Sequence, residues 1–148
     1  MLGLFGLEPP EEVFVPANEA AQRALSLDDS LSEARTVLAE VQKLYEWDWD
    51  TAERSYLRAI ELDQNDPVAH QRYAQLLWTL GRHDEAHKQI DLARRCDPVS
   101  PIVAAFVSFV PLEAGRVERA VVAAREALQL DANAPITHFM GRALCGRR

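Results

Sequence analysis

Two histidines, His83 and His87, stand four residues apart in the stretch HDEAH, a spacing that places both side chains on one face of a helical turn. Such a pair can ligate zinc, and zinc metalloproteases use this spacing with a glutamate directly after the first histidine. Here that place holds Asp84, and the sequence offers no clear third ligand. A solvated helix start, in which Asp84 and Glu85 are favoured by the helix dipole, is the simpler interpretation. No metal site is predicted, and a small metal-dependent enzyme stays only as a remote alternative.

Other residues that could carry out chemistry are scattered. The carboxylates are spread along predicted helix faces, often four residues before a basic side chain, as in Asp84 and Lys88. The two cysteines, Cys96 and Cys145, form no CxxC pair and have no neighbour that would activate a thiol. The sequence therefore contains no catalytic constellation. We predict that the chain is not an enzyme and needs no cofactor.

Charge and hydropathy narrow the partner classes. The 148 residues carry a formal net charge of -7 and contain no long Lys/Arg-rich run, which argues against nucleic acid as the partner. The apolar start Met1–Leu7 lacks a basic segment and is too short for a signal peptide. The apolar run Ile102–Leu112 falls far short of the length that spans a bilayer. A soluble, cytoplasmic protein that does not bind membranes is expected, and the unpaired cysteines suit a reducing compartment.

The strongest signal in the sequence is a recurrence with a period of 34 residues. Pro67, Gly81, Ala86, Ala93 and Asp97 return at Pro101, Gly115, Ala120, Ala127 and Asp131. Each period is predicted to form two short helices joined by a tight turn. Such self-similarity indicates a stacked array of helix pairs rather than a single closed core.

The array is predicted to be one all-α domain over residues 1–148. Its units are a partial repeat at 1–28, repeats at 29–63, 64–97 and 98–131, and a lone terminal or capping helix at 132–148. Helices are predicted near Pro16–Leu27, Leu31–Tyr45 and Thr51–Leu62, after a turn at the paired prolines of residues 8–12. Asp50 is predicted as an N-cap with Glu53 completing a capping box, and Asp66 with Pro67 as a helix start. The repeat 29–63 is one residue longer than the period, and the extra residue is placed in the turn around Trp47. The missing first half of the first unit suggests that the chain was cut from a longer protein.

Three aromatic or apolar features leave alternatives open. Trp47 and Trp49 are either a ligand-stacking pair or plugs between helices, and the structural role is favoured. Trp78 is placed equally well in the core or on a binding face. The apolar run Ile102–Leu112 could bind an apolar peptide, form a homodimer or be buried by the last helix; burial is slightly favoured.

The pattern resembles the tetratricopeptide repeat over about residues 11–145. The resemblance is carried in the second full unit by Tyr73-Ala74, Leu77, Gly81, Ala86, Ile90, Ala93 and Pro98. A closer likeness, in stretches such as Tyr45-Glu46-Trp47-Asp48-Trp49 and Leu80-Gly81-Arg82-His83-Asp84, is to the repeat region that follows a winged-helix or protein-kinase domain in bacterial regulators. Neither effector domain is recognisable in this sequence. Two departures are Pro111 in mid-helix and a last helix, near His138, that is one residue short.

The resemblance implies a right-handed superhelix in which the first helix of each pair lines a concave groove. Carried over residue by residue, the partner-binding positions are Thr36, Glu40, Lys43, Gln71, Gln75, Trp78, Ile102, Ala105 and Phe109. Members that grip the C-terminal carboxylate of chaperones have Lys and Asn at inner groove positions. Here those positions hold Thr36 and Glu40, so that partner class is not expected.

We therefore expect an interaction module that binds a protein or peptide partner in the concave groove, as part of a larger bacterial regulatory protein. The alternative is a self-association module that forms a homodimer through Ile102–Leu112 or the last helix. The remote alternative is the metal-dependent enzyme based on His83 and His87.

Overall fold

The computed structural model describes residues 9–107 and, beyond them, the helical residues 118, 121, 122, 125, 126 and 129. Within 9–107 the chain forms six helices and no strand. They are α1 (Pro10–Leu27), α2 (Ser32–Leu44), α3 (Trp49–Leu62), α4 (Pro67–Thr79), α5 (His83–Cys96) and α6 (Pro101–Val107). The predicted all-α class is confirmed.

The helices stack in chain order. α2 packs against α3 and α4 against α5 as antiparallel pairs, while α1 packs on α2, α3 on α4 and α5 on α6. α2 also lies beside α4, and α4 beside α6, so the first helices of successive pairs form one layer. This arrangement is a superhelical array of helix pairs, and it places the polar residues of α2 next to those of α4.

The core runs between α2, α3, α4 and α5. It is built from the buried residues Ala39, Ala52, Tyr56, Tyr73, Leu76, Leu77 and Ala86. The alanines let neighbouring helices approach closely, and two large tyrosine rings, with centroids 6.0 Å apart, fill the remaining space. The recurring alanines of the sequence are thus packing positions.

Two helix starts are fixed by aspartate caps. The Asp66 carboxylate accepts hydrogen bonds from the backbone N–H groups of Val68 and Ala69, and Pro67 takes the first helical position, as predicted. α3 differs from the prediction, because its cap is Asp48, which accepts from the N–H of Thr51 at 3.0 Å. Asp50 instead lies inside the first turn of α3.

Glu53 does not complete the predicted capping box. It accepts hydrogen bonds from the Tyr73 hydroxyl at 2.7 Å and from the Arg82 guanidinium at 2.6 Å. These partners lie in α4 and in the turn after it, so Glu53 joins one helix pair to the next.

The start of α1 was predicted wrongly. α1 begins at Pro10, and it continues through Pro16. The missing N–H of a proline at the first helical position costs no hydrogen bond, because that N–H has no partner within a helix. Pro16 removes one backbone hydrogen bond inside the helix without ending it. Paired prolines at 9 and 10 therefore start the helix that they were expected to exclude.

The turn between α2 and α3 is one residue longer than the turn between α4 and α5. It spans residues 45–48, against residues 80–82 in the second pair. The extra residue of the repeat therefore lies where the sequence predicted it. The second turn contains Gly81 with φ 75°, a left-handed conformation that glycine adopts without a steric penalty.

Several sequence-based expectations fall outside the described residues. They concern Met1–Leu7, the second half of the apolar run Ile102–Leu112, and the last helix at 132–148. The self-association hypothesis rests mainly on those segments.

Candidate functional site

The candidate site lies along the layer formed by α2 and α4. Polar bonds join the two helices near both ends. Ser32 Oγ donates to Asp66 Oδ2 at 3.1 Å near their N-termini, and Lys43 Nζ donates to Gln75 Oε1 at 3.4 Å near their C-termini. The two helices therefore run parallel, as one repeat period between them requires.

At the centre of this face the Glu40 carboxylate is shared between cations. Lys43 Nζ lies 2.5 Å from Glu40 Oε1, and Arg72 Nη1 lies 3.3 Å from Glu40 Oε2. The Tyr56 hydroxyl also donates to Glu40 Oε1 from the core side. Glu40 thus connects α2, α3 and α4 through charge-assisted hydrogen bonds.

Burial shifts the pKa values of two residues of this cluster, Lys43 and Tyr56. Burial lowers the pKa of Lys43 from its usual value, while the adjacent Glu40 carboxylate acts in the opposite direction. Burial also raises the pKa of Tyr56 far above its usual range, and the charge of Glu40 and its hydrogen bond add to the effect. Tyr56 therefore stays a neutral donor to Glu40.

A cavity of about 220 Å³ opens beside this cluster, between α1, α2 and α4. Its walls are mainly apolar; the lining residues are Val13, Phe14, Ala17, Thr36, Val37, Glu40, Val41, Leu44, Val68 and Arg72. Thr36 is buried, and its hydroxyl has no hydrogen-bond partner among the described residues. The cavity thus combines an apolar wall with a charged edge formed by Glu40 and Arg72.

The structure brings together only part of the predicted groove set. Glu40, Lys43 and Gln75 belong to one hydrogen-bonded cluster, and Thr36 lines the cavity next to it. Thr36, Lys43 and Gln71 are more buried than a binding surface would suggest, with 5%, 7% and 3% of their surface exposed. The side-chain amide nitrogen of Gln71 is also buried without a partner among the described residues.

Trp78 lies apart from that cluster. Its ring packs against the core, and its centroid is 4.7 Å from the ring of His83 and 6.0 Å from that of His87, both on α5. Trp78 therefore joins the two helices of one pair. Ile102 and Ala105 belong to α6, and their side chains are not among those described. Phe109 lies outside the described residues.

Sequence analysis missed the contributions of Arg72, Tyr56 and the α1 residues of the cavity. One signal was available: Glu40 and Arg72 have opposite charges and are 32 residues apart, close to one period, so stacking places them side by side. Val13 and Phe14 gave no such signal, because the sequence predicted a helix only from Pro16 onwards.

The histidines do not assemble a metal site in the described part of the chain, where no group of three or more His, Cys, Asp or Glu side chains converges. His70 is a buried structural residue: its Nε2 donates to the carbonyl of Gln64 at 2.9 Å, and its Nδ1 lies 2.7 Å from Gln89 Oε1. None of the described helices combines the length and apolarity needed to cross a bilayer.

Comparison with known proteins supports the repeat architecture. A family model described as tetratricopeptide repeat matches residues 43–108, which is less than half of the chain and begins after Glu40, the centre of the cluster. Over these residues the chain is similar to the tetratricopeptide repeat. The match covers the helix pair α4–α5 completely, with α3 before it and α6 after it.

Solved structures support the tetratricopeptide repeat fold over most of the chain. PilF of Pseudomonas aeruginosa matches 99% of this chain and 65% of its own, with 23% identity and a TM-score of 0.78. The first tetratricopeptide repeat domain of Spaghetti (RPAP3), bound to an HSP90 peptide, covers 80% of this chain and 94% of its own, at 15% identity and a TM-score of 0.69. YrrB, described as having an unusual peptide-binding site, covers 83% and 63%, at 17% identity and a TM-score of 0.69. At these identities the likeness establishes the fold alone. No curated protein matches the sequence significantly.

Proposed function

We propose that this chain binds a protein or peptide partner on the α2–α4 face. The observation that carries the proposal is the cavity of about 220 Å³ beside the Glu40 cluster, whose lining is mainly apolar.

The lining indicates the kind of group that would enter. Val37, Val41 and Val68 present an aliphatic wall, and Phe14 presents a ring. A cavity of this size accommodates one bulky apolar side chain, and pockets of this kind typically receive the anchor residue of a bound segment. We therefore propose a partner that inserts one leucine, isoleucine or phenylalanine into this cavity.

The wider binding face proposed from the sequence runs past this cavity. It comprises Thr36, Glu40, Lys43, Gln71, Gln75, Trp78, Ile102, Ala105 and Phe109. In this proposal Glu40, Lys43 and Gln75 act mainly by holding α2 and α4 in place, because their polar groups are already bonded to one another. The ligand would contact the outer surface of these three side chains and leave the hydrogen bonds between them intact.

Relatives give general support for peptide binding. The Spaghetti domain was solved with an HSP90 peptide, and YrrB is described as having a peptide-binding site. The HSP90 peptide itself is not transferred to this chain. Its sequence SRMEEVD is acidic, and this chain has Glu40 where members of that class place a side chain that binds a carboxylate.

The cellular setting is proposed from the sequence. The likeness of Tyr45–Trp49 to the repeats of bacterial regulators supports a place in a larger regulatory protein. The free Cys96 thiol and the absence of a disulfide motif in the sequence support the cytoplasm. We also propose that the module is not an enzyme and binds no nucleic acid, since the sequence contains neither a catalytic constellation nor a basic surface.

The proposal is tested by selecting binding peptides from a random library on the immobilised chain and measuring their affinities by fluorescence polarisation. Val37→Arg places a charge in the cavity from a position exposed enough to keep the fold. It should weaken the selected peptides at least about tenfold. Leu57→Arg is the matched control, because Leu57 is a similarly exposed aliphatic residue on α3 outside the cavity. Equal affinity of both variants and the wild type would contradict binding at this face.

A further inference from the structure

Trp47, in the turn between α2 and α3, is exposed to solvent. It keeps 73% of its surface accessible, whereas Trp49 packs against the core. The two ring centroids are 6.3 Å apart. The structural role predicted for this pair therefore holds for Trp49 and fails for Trp47, which fills no gap between the described helices.

The backbone at Trp47 is unfavourable for a tryptophan. Its φ is 57°, in the left-handed region that L-residues with a side chain rarely adopt. Gly81 stands 34 residues later, at the corresponding position of the turn between α4 and α5, and has φ 75°. The conformation is imposed by the turn, in which Glu46 N–H donates to the Val41 carbonyl at 3.1 Å and Asp48 N–H donates to the Gln42 carbonyl at 2.9 Å. Glycine would serve the fold better at position 47.

Three acidic residues lie within three positions of Trp47 in the chain. Glu46, Asp48 and Asp50 are all exposed, and none forms an ion pair with a described basic side chain. Asp48 is held ionised, because its hydrogen bonds with Thr51 lower its pKa. The nearest cation that acts on it, Arg54, donates to the hydroxyl of Thr51. The turn at Trp47 thus combines an exposed aromatic ring with neighbouring carboxylates that form no ion pair among the described residues.

We propose that Trp47, with Glu46 and Asp50 beside it, is a contact site for an arginine or lysine side chain of a protein partner. A guanidinium group stacks on the face of an indole ring, and tryptophan is the strongest aromatic partner for a cation. The carboxylates add charge complementarity and repel nucleic acid. This site goes beyond the groove, because it lies at the turn edge of the array rather than on the α2–α4 face.

The small contribution of Trp47 to the stability of the fold supports a role in binding. A tryptophan that is neither buried nor suited to its backbone conformation stabilises little in the described structure. Tryptophan is among the residues that most often contribute a large share of the binding energy at protein interfaces. Replacement by glycine should therefore leave the fold intact while removing the contact.

The test uses a short fluorescein-labelled peptide of alternating arginine and serine, and the same peptide with citrulline in place of arginine. Fluorescence polarisation should show binding of the arginine peptide to the wild type and little binding of the uncharged one. Trp47→Gly should weaken the arginine peptide about fivefold or more. The Glu46→Gln/Asp50→Asn pair should weaken it too, with the loss largest at low salt.

Two controls separate this site from a structural role and from the groove. Val99→Gly changes another exposed apolar residue in a turn and should leave the affinity unchanged. The thermal midpoint of Trp47→Gly should equal or exceed that of the wild type, and Trp47→Asn, which tolerates the left-handed conformation, should behave in the same way. A fall in the midpoint, no binding by the wild type, or equal affinity of Trp47→Gly would overturn the proposal. Loss of binding in Val37→Arg alone would place the arginine peptide in the groove and would also overturn it.

Discussion

Ser32 Oγ donates a hydrogen bond to Asp66 Oδ2 at 3.1 Å, across 34 residues of sequence. The other oxygen of the same carboxylate, Oδ1, accepts from the N–H groups of Val68 and Ala69. One side chain therefore starts α4 and ties it to the start of the preceding α2. Ser32 and Asp66 are one 34-residue period apart, so this hydrogen bond joins equivalent positions of two successive repeats.

Replacing this cap should destabilise the array. Asp66→Ala removes both functions and should lower the free energy of unfolding by about 1 to 2 kcal/mol. Asp66→Asn keeps a good cap and should recover most of that loss. Urea denaturation followed by circular dichroism measures both variants. Equal stability of the alanine and asparagine variants would contradict the capping role.

The Glu40 cluster should be sensitive to charge removal. Glu40→Gln leaves Lys43 and Arg72 without their shared carboxylate in a largely buried setting, so we expect a loss of about 3 kcal/mol. Glu33→Gln changes an exposed glutamate on the same helix and should stay within about 0.5 kcal/mol of the wild type. Chemical denaturation measures the free energy of unfolding of both variants. Similar losses in the two would contradict a stabilising role of the Glu40 ion pairs.

Tyr56 should make the stability depend on alkaline pH. Its pKa is raised in the folded chain, so the folded state holds the phenolic proton while the unfolded state loses it near pH 10. The contribution of the proton is complete below about pH 10 and decreases as the pH rises further. Tyr56→Phe has no such proton. Its stability deficit relative to the wild type should therefore shrink by about 1 kcal/mol between pH 8 and pH 11. A deficit that stays constant in urea denaturation at the two pH values would show that Tyr56 titrates normally.

Gly81 should be required for its backbone conformation alone. A Cβ built on Gly81 meets no atom within 4 Å, so Gly81→Ala introduces no clash and only the strain of φ 75°. We expect a cost of about 1 kcal/mol in thermal or urea denaturation. Gly81→Asn should cost less, because asparagine tolerates this conformation. An alanine variant as stable as the wild type would argue against the strain.

The buried, unpaired hydroxyl of Thr36 should lower the free energy of unfolding of the unliganded chain. Thr36→Val keeps the shape and removes an unpaired buried polar group, so stability should be unchanged or higher by up to about 1 kcal/mol. Thr51→Val, at a threonine whose hydroxyl accepts from Arg54, is the control for the chemical change itself. Destabilisation by Thr36→Val would indicate a hydrogen-bond partner in solution.

The sequence predicted the helix pairs well because alanine, glycine and the Asp66-Pro67 start repeat at fixed spacing. It failed at Pro16, where tertiary packing keeps a helix that local propensity disfavours, and at Asp50, because the cap is Asp48, which stands 34 residues before the N-cap position Arg82 of α5. The groove positions stay predictions. Burial of Thr36, Lys43 and Gln71 could not be foreseen from one sequence, because it depends on how closely α2 and its neighbours pack.

Two of the polar bonds between α2 and α4, from Ser32 to Asp66 and from Lys43 to Gln75, lie near opposite ends of the helices and have a mechanical consequence. Eleven residues of helix separate their α2 ends, or roughly 16 Å along the axis. One bond would let the helices pivot about it, whereas two at this separation also resist rotation. The local superhelical twist is therefore set before any ligand arrives. A segment that binds here meets a rigid face and loses less entropy on association than it would on an array whose units turned freely.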